Sequence, residues 1–319
     1  MRVGQNPAKA IEQVAQPAPV TVAVVNYIPF LSGYYAQSLE VLQACLESIW
    51  TNTQGDYDLL VFDNASCPEV RAYLSRLRDE GRIQYLVLSE RNIGKGGAWN
   101  FIFGAAPGEF VAYADSDVRF HPGWLPAHLQ AFDQFPNLGM LTGAPLRVPE
   151  EFSTSTVRWA ESTPGVELER GVLLSWEDWW KHAVSLGVET EAEGRQLYAA
   201  NQDVRLACGD RRYYIGAAHF QFVARSEVLR SMLPIPSERP MGQVRSLDIA
   251  INEAGLLRLS TPEWWVEHMG NRLSEEQGPY STKGEYSVSL TNRLLDSPLV
   301  RRSLLKLYDR IFRLYFARQ

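Results

Sequence analysis

Asp115 and Asp117 stand directly after an apolar run at residues 109–114, and their type and spacing suit metal chemistry. The run predicts a buried strand, and residues two apart on an extended backbone point to the same side. Both carboxylates are therefore expected at the carboxyl end of a strand, where open α/β sheets bind ligands. Two hard oxygen ligands there suit Mg²⁺ or Mn²⁺ carrying a diphosphate. The alternative for the triplet by itself is a turn with two solvated aspartates.

A second group with binding chemistry is the glycine-rich segment at 92–97, just before a predicted helix at 95–105. Glycines let a backbone approach a diphosphate, and a helix N-terminus favours an anion. The segment is not a Walker A loop, because Lys95 is followed by Gly96 where Ser or Thr is needed and no glycine stands five residues before Gly94. The alternative is a plain glycine loop before a helix.

Alternating strands and helices are predicted to position these groups. Apolar runs and periodicity predict strands at 20–26, 58–62, 83–88, 109–114 and 138–142, and helices at 38–50, 68–80, 95–105 and 122–135. Ser38 is the expected N-cap of the first helix. Alternation at this spacing predicts a mostly parallel, three-layer α/β sheet. It breaks near Pro145, and from there to Arg212 we expect irregular chain with one helix at 177–186.

Composition limits the class of protein. The chain has 319 residues, of which 45% are hydrophobic, enough for one large domain with or without an appendage. A net charge of −6 argues against a nucleic-acid binder, which usually has a basic surface. Three scattered cysteines predict neither a disulfide framework nor a zinc site. This cysteine pattern suits a reducing cytoplasm, where we expect the protein. No apolar run approaches the length of a transmembrane helix.

Four segments in order resemble glycosyltransferase family 2. They are the strand at 22–26, Asp-Asn-x-Ser at 63–66, Asn-x-Gly-x-x-x-Ala-x-Asn at 92–100, and Asp-Ser-Asp at 115–117 followed by Pro-Gly-Trp-Leu at 122–125. The match is close over 20–146 and looser over 213–270. The resemblance implies a GT-A fold, with a Rossmann-like, mostly parallel sheet flanked by helices, an irregular acceptor-side insertion and a C-terminal helical extension.

The resemblance also implies roles for single residues. Asp63 would contact the nucleotide base, although a turn residue bonded to the local backbone is the alternative. The implied donor-binding residues are Asp63, Asn92, Gly94, Lys95, Gly96, Asn100 and Asp115. The implied ligands of Mn²⁺ or Mg²⁺ are Asp115, Asp117 and His268. A packed or surface histidine is the alternative for His268.

The resemblance extends to the second half, where residues 214–225 are similar to the segment that closes over the donor sugar. The family usually carries a Glu-Asp pair at the start of a following helix, but this chain has only Asp248 there. The resemblance therefore implies that Asp248 is the general base, with Glu253 as the second choice. A helix N-terminal acid stabilised by the dipole is an equal alternative for Asp248.

Together these features predict an inverting, metal-dependent transferase of the hexosyltransferase kind. It would move a sugar from a nucleoside-diphosphate sugar, UDP by family default, to a hydroxyl of a carbohydrate, lipid-linked or small-molecule acceptor. A nucleotidyltransferase is an alternative, but residues 22–30 lack its glycine-rich basic signature. A non-catalytic nucleotide- or carbohydrate-binding module of the same fold also stays open, because the Glu-Asp pair is missing.

The expected domains are a flexible N-terminus at 1–19, a catalytic domain at 20–270 and an extension at 271–319. The catalytic domain divides into a nucleotide-sugar half at 20–146 and an acceptor half at 147–270. Residues 298–316 predict a basic amphipathic helix. Such a helix can dock on the catalytic domain or a second subunit, or lie peripherally on an anionic membrane.

Four tryptophans occur in the acceptor-side insertion: Trp159, Trp176, Trp179 and Trp180. Aromatic faces stack on sugars, so this group could form an acceptor platform. The last three also fit one helix face, and packing within the protein is the interpretation that we favour.

Overall fold

A ten-stranded sheet forms the centre of the computed structural model, which describes residues 3–11, 13–239 and 243–273. The described strands are β1 (Val20–Asn26), β2 (Tyr57–Asn64), β3 (Tyr85–Ser89), β4 (Phe110–Asp115), β5 (Val118–Phe120), β6 (Leu138–Thr142), β7 (Val166–Gly171), β8 (Asp203–Cys208), β9 (Arg211–Ile215), β10 (Gln221–Arg225), β11 (Leu257–Ser260) and β12 (Val266–His268). The order in the main sheet is β3-β2-β1-β4-β10-β6-β11-β9-β8-β7, and β5 pairs with β12 apart from it.

Most strands of the main sheet run in one direction. The pairs β3–β2, β2–β1, β1–β4 and β6–β11 are parallel. Following the pairings across the sheet, β1, β2, β3, β4, β6, β8 and β11 share a direction, whereas β7, β9 and β10 oppose it. The expected mostly parallel α/β sheet is therefore confirmed.

Helices cover both faces of this sheet. The described α-helices are α1 (Ser38–Asn52), α2 (Pro68–Asp79), α3 (Gly94–Ala105), α4 (Trp124–Gln134), α5 (Thr154–Ser162), α6 (Trp176–Ser185), α7 (Glu191–Ala199), α8 (Ser226–Ser231) and α9 (Arg245–Glu253). The helices predicted in the first half lie where expected. Helix α1 begins at Ser38 itself, so Gln37 is its N-cap and the prediction of Ser38 in that position is wrong.

Strand β1 shows how the sequence builds the two-sided core. Val22 and Val24 face one side, where they join a cluster that includes Leu46 of α1. Ala23 faces the other side, in a cluster with Trp99 of α3. Because alternate residues face opposite sides, a strand covered on both faces must be apolar throughout. Full burial of each larger aliphatic side chain contributes roughly 1.5–3 kcal/mol.

The parallel register brings the candidate residues to one edge of the sheet. Asn26 of β1 lies opposite Asp63 of β2, and Val25 lies opposite Asp115 of β4. β2 and β4 flank β1, so the backbones of Asp63 and Asp115 are about two strand spacings apart, roughly 9–10 Å. The strand ends thus place both acids at the carboxyl edge.

The segment from Pro145 to Arg212 is more regular than expected. It forms α5, β7, α6, α7 and β8, and the strands β7, β8 and β9 extend the sheet as an antiparallel unit. The prediction of irregular chain is therefore wrong. The sequence pattern missed these strands because β7 and β8 carry charged residues at cross-strand positions. Glu169 lies opposite Arg205 and pairs with it at 2.5 Å, so these strands lack the apolar signal of the central ones.

Two further expectations concern the membrane. No helix within the described residues is long and apolar enough to cross a membrane. The amphipathic helix expected at 298–316 lies outside the described residues.

Candidate active site

Asp63 lies at the end of β2 with a fully buried side chain. Its Oδ1 accepts a hydrogen bond from the Asn26 amide at 2.9 Å, and its Oδ2 accepts one from the backbone N–H of Ser66 at 3.0 Å. The Ser66 hydroxyl oxygen accepts from Asn26 at 3.0 Å and from the backbone N–H of Ile28 at 2.9 Å. Asp63 therefore fixes the chain ends after β1 and β2, which is the local-backbone role considered above.

Asn64 shapes the glycine segment in front of α3. Its Oδ1 accepts a hydrogen bond from the N–H of Ile93 at 2.9 Å, and its amide donates to Asn92 Oδ1 at 3.0 Å. The same Asn92 oxygen accepts from the N–H of Gly94 at 2.8 Å, and Gly94 adopts a φ of +72°. A positive φ favours glycine. Asn92 and Gly94 are therefore tied to the end of β2, beside Asp63.

Asp115 is the centre of a polar cluster. Its Oδ2 accepts a hydrogen bond from Lys95 Nζ at 2.7 Å, and its Oδ1 accepts one from the Tyr113 hydroxyl at 2.5 Å. Burial, followed by the charge of Asp115, raises the pKa of Tyr113 well above its usual value, so this hydroxyl remains a donor. Lys95 also donates to the carbonyl of His219 at 3.1 Å, which links α3 to the loop before β10.

Asp117, in the turn between β4 and β5, pairs with His268 at the end of β12, far away in the sequence. Asp117 Oδ2 lies 3.3 Å from His268 Nε2, and the other ring nitrogen of His268 contacts the Ser185 hydroxyl at 3.0 Å. Burial of the ring opposes its protonation, but the hydrogen bond and charge of Asp117 outweigh this and raise the pKa of His268. The partnership between these two residues, implied by the resemblance, is present in the fold.

Asp117 and His268 are the residues that fit a divalent cation. Asp117 Oδ1 is buried and has no hydrogen-bond partner within the described residues, which suits an atom meant for a ligand. A carboxylate oxygen with an imidazole nitrogen suits Mn²⁺. Asp115 is held by Lys95, and within the described part of the chain no three acidic, histidine or cysteine side chains are arranged to hold a metal ion. The described residues therefore offer a divalent cation two ligands, Asp117 and His268, and not a complete set.

Asp248 occupies a buried ion-pair network. It lies in the first turn of α9, and its side chain is only 5% exposed. Its Oδ1 accepts a hydrogen bond from Arg258 at 2.5 Å, and its Oδ2 lies 2.7 Å from His219 Nε2. The histidine contact is an ion-pair approach rather than an aligned hydrogen bond. The fallback residue Glu253 is exposed at the other end of α9.

Two of the residues predicted to bind the donor make contacts with the segment at 235–237. Asn100 donates to the Ile235 carbonyl at 2.8 Å and accepts from the Ile235 N–H at 2.7 Å. Gly96 packs so closely that an added Cβ would lie 2.4 Å from the Pro236 carbonyl oxygen. Both residues hold the 235–237 segment against α3.

Several site residues were not identified from the sequence. Asn26 could have been found, because it ends a buried strand as Asp63 does. His219 lay within the segment similar to the donor-closing loop, but nothing local distinguished it. Arg258 gave no signal at all, because its partners Asp248, Ala217 and Phe152 come from three other parts of the chain.

Parts of the chain are similar to known proteins. Residues 34–174 match the model of Glycosyl transferase family 2. An uncharacterized glycosyltransferase of Nostoc sp. is 24% identical over 135 residues, 41% of this chain and 42% of that protein. The succinoglycan biosynthesis protein ExoW of Rhizobium meliloti is 34% identical over 98 residues, 30% of each chain. The chain thus spans less than half the length of these curated relatives.

Among solved structures, GalNAc-T7 with UDP, GalNAc and Mn²⁺ has a TM-score of 0.51 at 14% identity, covering 87% of this chain and 48% of that chain. At this identity the likeness concerns the fold, and it agrees with the GT-A architecture implied by the motifs. The resemblance that the four motifs indicated is therefore confirmed over residues 34–174, the part of the chain that matches the model of glycosyltransferase family 2.

Proposed function

We propose that this protein is an inverting glycosyltransferase that moves a sugar from a nucleoside-diphosphate sugar to an acceptor hydroxyl. The observation that carries the proposal is that Asp63 and the Lys95–Asp115 pair lie at the carboxyl edge of the sheet, and that Asp117, two residues after Asp115, pairs with His268. This edge is where open α/β sheets bind ligands. The match to the family model over residues 34–174 supports the same class of reaction.

The donor would lie across the ends of β1, β2 and β4. Asp63 holds the loops that would receive the nucleoside, and the N-terminus of α3 at Gly94 offers backbone N–H groups to a diphosphate. Lys95 would exchange its bond to Asp115 for one to a phosphate oxygen, because ammonium–phosphate hydrogen bonds are charge-assisted. These residues bind and orient the leaving group.

Asp117 and His268 would hold Mn²⁺ or Mg²⁺, and Asp115, two residues before Asp117, would be a further candidate ligand. A cation bound there supplies charge neutralisation for the departing nucleoside diphosphate. The protein residues supply the ligand positions, and Ser185 fixes the histidine ring through its second nitrogen.

Removal of the acceptor proton is assigned to the region of Asp248. A hydroxyl that attacks the anomeric carbon must lose its proton to a base. A single base with in-line displacement gives inversion at that carbon. Asp248 lies on α9, and its contact with His219 joins it to the loop that Lys95 binds.

The proposal is tested by turnover of defined donors. UDP-glucose, UDP-galactose, UDP-N-acetylglucosamine and GDP-mannose would each be incubated with the full chain and Mn²⁺, and release of UDP or GDP would be measured with and without simple sugar acceptors. We expect release from at least one donor. Calorimetric binding of a donor with no release under any of these conditions would favour the non-catalytic module instead.

A further inference from the structure

We propose that His219 is the residue that takes the proton from the acceptor hydroxyl, and that Asp248 positions its ring. This inference deepens the proposed function and rests on it. The assignment moves the catalytic contact from α9 to the loop between β9 and β10, which carries His219.

Asp248 is poorly placed to touch an acceptor. Its side chain is 5% exposed, and each carboxylate oxygen already has a cationic or imidazole partner, Arg258 on Oδ1 and His219 on Oδ2. A base must come within hydrogen-bond reach of the proton that it removes. Asp248 would have to break a buried ion pair to do so, and leaving Arg258 unpaired in the interior is costly.

His219 has the access that Asp248 lacks. Its side chain is 23% exposed, and its Nε2 atom faces the Asp248 carboxylate at 2.7 Å. Because Nε2 approaches Asp248, Nδ1 is the ring nitrogen that would meet a substrate hydroxyl. An imidazole that faces a carboxylate through one nitrogen and acts through the other is a suitable general base.

The loop that carries His219 is fastened to the donor side of the cleft. The His219 carbonyl accepts from Lys95 at 3.1 Å, and the neighbouring Phe220 carbonyl accepts from the backbone N–H of Asp115 at 2.7 Å. The ring also meets Trp99 edge-on, with centroids 5.9 Å apart. These contacts hold the loop that carries His219 against Lys95 and Asp115, on the donor side of the cleft.

The charges around His219 come from three elements. Asp248 of α9 faces the ring, Arg258 of β11 lies behind Asp248, and Lys95 of α3 holds the backbone carbonyl. Arg258 keeps Asp248 in place, with further bonds from its guanidinium to the Phe152 and Ala217 carbonyls at 2.7 Å each. An imidazolium formed in the reaction would face a carboxylate rather than a cation.

The proposed step balances without a further reactant. The acceptor oxygen forms a bond to the anomeric carbon as its proton passes to Nδ1 of His219. The bond between that carbon and the diphosphate oxygen breaks, and its electron pair leaves with the nucleoside diphosphate. His219 then returns its proton to solvent.

The test compares His219→Ala and His219→Gln with the wild-type chain, using UDP or GDP release from the donor selected by the screen above. Donor affinity is measured separately by calorimetry. We expect turnover to fall about 100-fold or more, which is the usual contribution of a general base, with donor affinity within about threefold.

Added imidazole should restore at least tenfold activity to the alanine variant but not to the glutamine variant, whose side chain fills the space. His121→Ala serves as the control, because its ring pairs with Glu267 rather than with Asp248, and it should keep wild-type turnover.

Asp248→Asn separates a positioning role from a catalytic one. We expect it to lower turnover while donor affinity stays within about threefold of wild type, because His219 loses its orienting carboxylate. Turnover of His219→Ala within threefold of wild type would overturn the inference. Loss of turnover together with loss of donor binding, and no response to imidazole, would also overturn it by assigning the residue a structural role.

Failure of the proposed function would give a different result from failure of the inference about His219. If the wild-type chain binds donors but releases no diphosphate, the proposed function fails and the inference falls with it. If the wild-type chain is active and only the histidine results disagree, the transferase assignment stands and the proton acceptor lies elsewhere.

Discussion

Lys95 is a single residue on which the proposed diphosphate site depends. Its ammonium binds the Asp115 carboxylate at 2.7 Å and the His219 carbonyl at 3.1 Å, so it joins both sides of the cleft. Lys95→Met keeps the length of the side chain and removes the charge. We expect UDP affinity, measured by calorimetry, to fall about 10- to 100-fold, since hydrogen bonds to charged groups contribute about 1.5–3 kcal/mol.

A matched control is Lys181→Met. Lys181 also pairs with an acid, Glu267, at 3.2 Å, but it lies on α6 rather than at the strand ends. We expect its UDP affinity to stay within about twofold of wild type. Equal losses in the two lysine variants would mean that overall charge, and not a site at Lys95, sets the affinity.

Single residues also show how much of the site the sequence could predict. Asp63 and Asp115 were identifiable because each ends an apolar run, and parallel strands must end at the same edge. The network of Asp248, His219 and Arg258 was not identifiable. Its members come from α9, from the loop before β10 and from β11, and only the packing of those elements brings them together.

At the scale of secondary-structure elements, α3 illustrates a glycine that packing requires. A Cβ at Gly96 would lie 2.4 Å from the Pro236 carbonyl oxygen, whereas a Cβ at Gly104 of the same helix would meet only Leu233 at 3.8 Å. We expect Gly96→Ala to destabilise the protein by about 1–3 kcal/mol, as overpacking usually does. Gly104→Ala should be neutral or stabilising by up to about 1 kcal/mol, because alanine favours helices.

Urea unfolding of the two glycine variants measures this difference. Equal free energies of unfolding would show that the 235–237 segment does not rest on α3. The side-chain oxygen and nitrogen of Asn100 also bind this segment, at Ile235. Gly96 and Asn100 therefore contribute to the same contact between α3 and the segment.

The insertion shows where periodicity is a poor guide to elements. Helix α6 was predicted, and its tryptophans stack on one another, Trp176 with Trp179 at 5.6 Å and with Trp180 at 5.2 Å. These contacts agree with packing as the favoured interpretation. The strands β7 and β8 were missed because their stability comes from cross-strand pairs such as Glu169–Arg205, which leave no apolar pattern in the sequence.

For the molecule as a whole, a buried histidine makes stability depend on pH. His128 is fully buried; its Nδ1 contacts the Trp124 carbonyl at 2.7 Å, and its Nε2 contacts the Gln221 amide at 3.3 Å. Burial lowers the pKa of His128 to about 4, from an ordinary value of 6.5. The unfolded chain therefore binds more protons between these values, and stability must fall as the pH drops from 6.5 towards 4.

The size of this effect is on the order of 3 kcal/mol, since each pKa unit corresponds to about 1.4 kcal/mol. Urea unfolding at pH 7 and pH 4.5 would measure it in the wild type and in His128→Gln. We expect the loss between the two pH values to be smaller in the variant, whatever its stability at pH 7. An identical loss would show that other groups carry the acid sensitivity.

Some expectations about the whole molecule could be derived from the sequence, and others could not. The α/β architecture followed from the sequence because β1, β2 and β4 are largely buried on both faces and must be mostly apolar. The division of the catalytic domain at residue 146 stays a prediction, as do the acceptor and the role of the C-terminal helix. Side chains from distant segments of a chain combine to bind an acceptor, so no periodic pattern in the sequence indicates which acceptor is bound.

The central claim is that the acids at the strand ends build one site for a nucleotide diphosphate and a divalent cation. It is tested most directly by calorimetric titration of UDP into the wild-type chain and Asp117→Ala, each with Mn²⁺ and with EDTA. The account predicts that Mn²⁺ strengthens wild-type binding at least tenfold and has no such effect on the variant. UDP affinity that is the same in Mn²⁺ and in EDTA, or a variant that responds to Mn²⁺ as the wild type does, would contradict it.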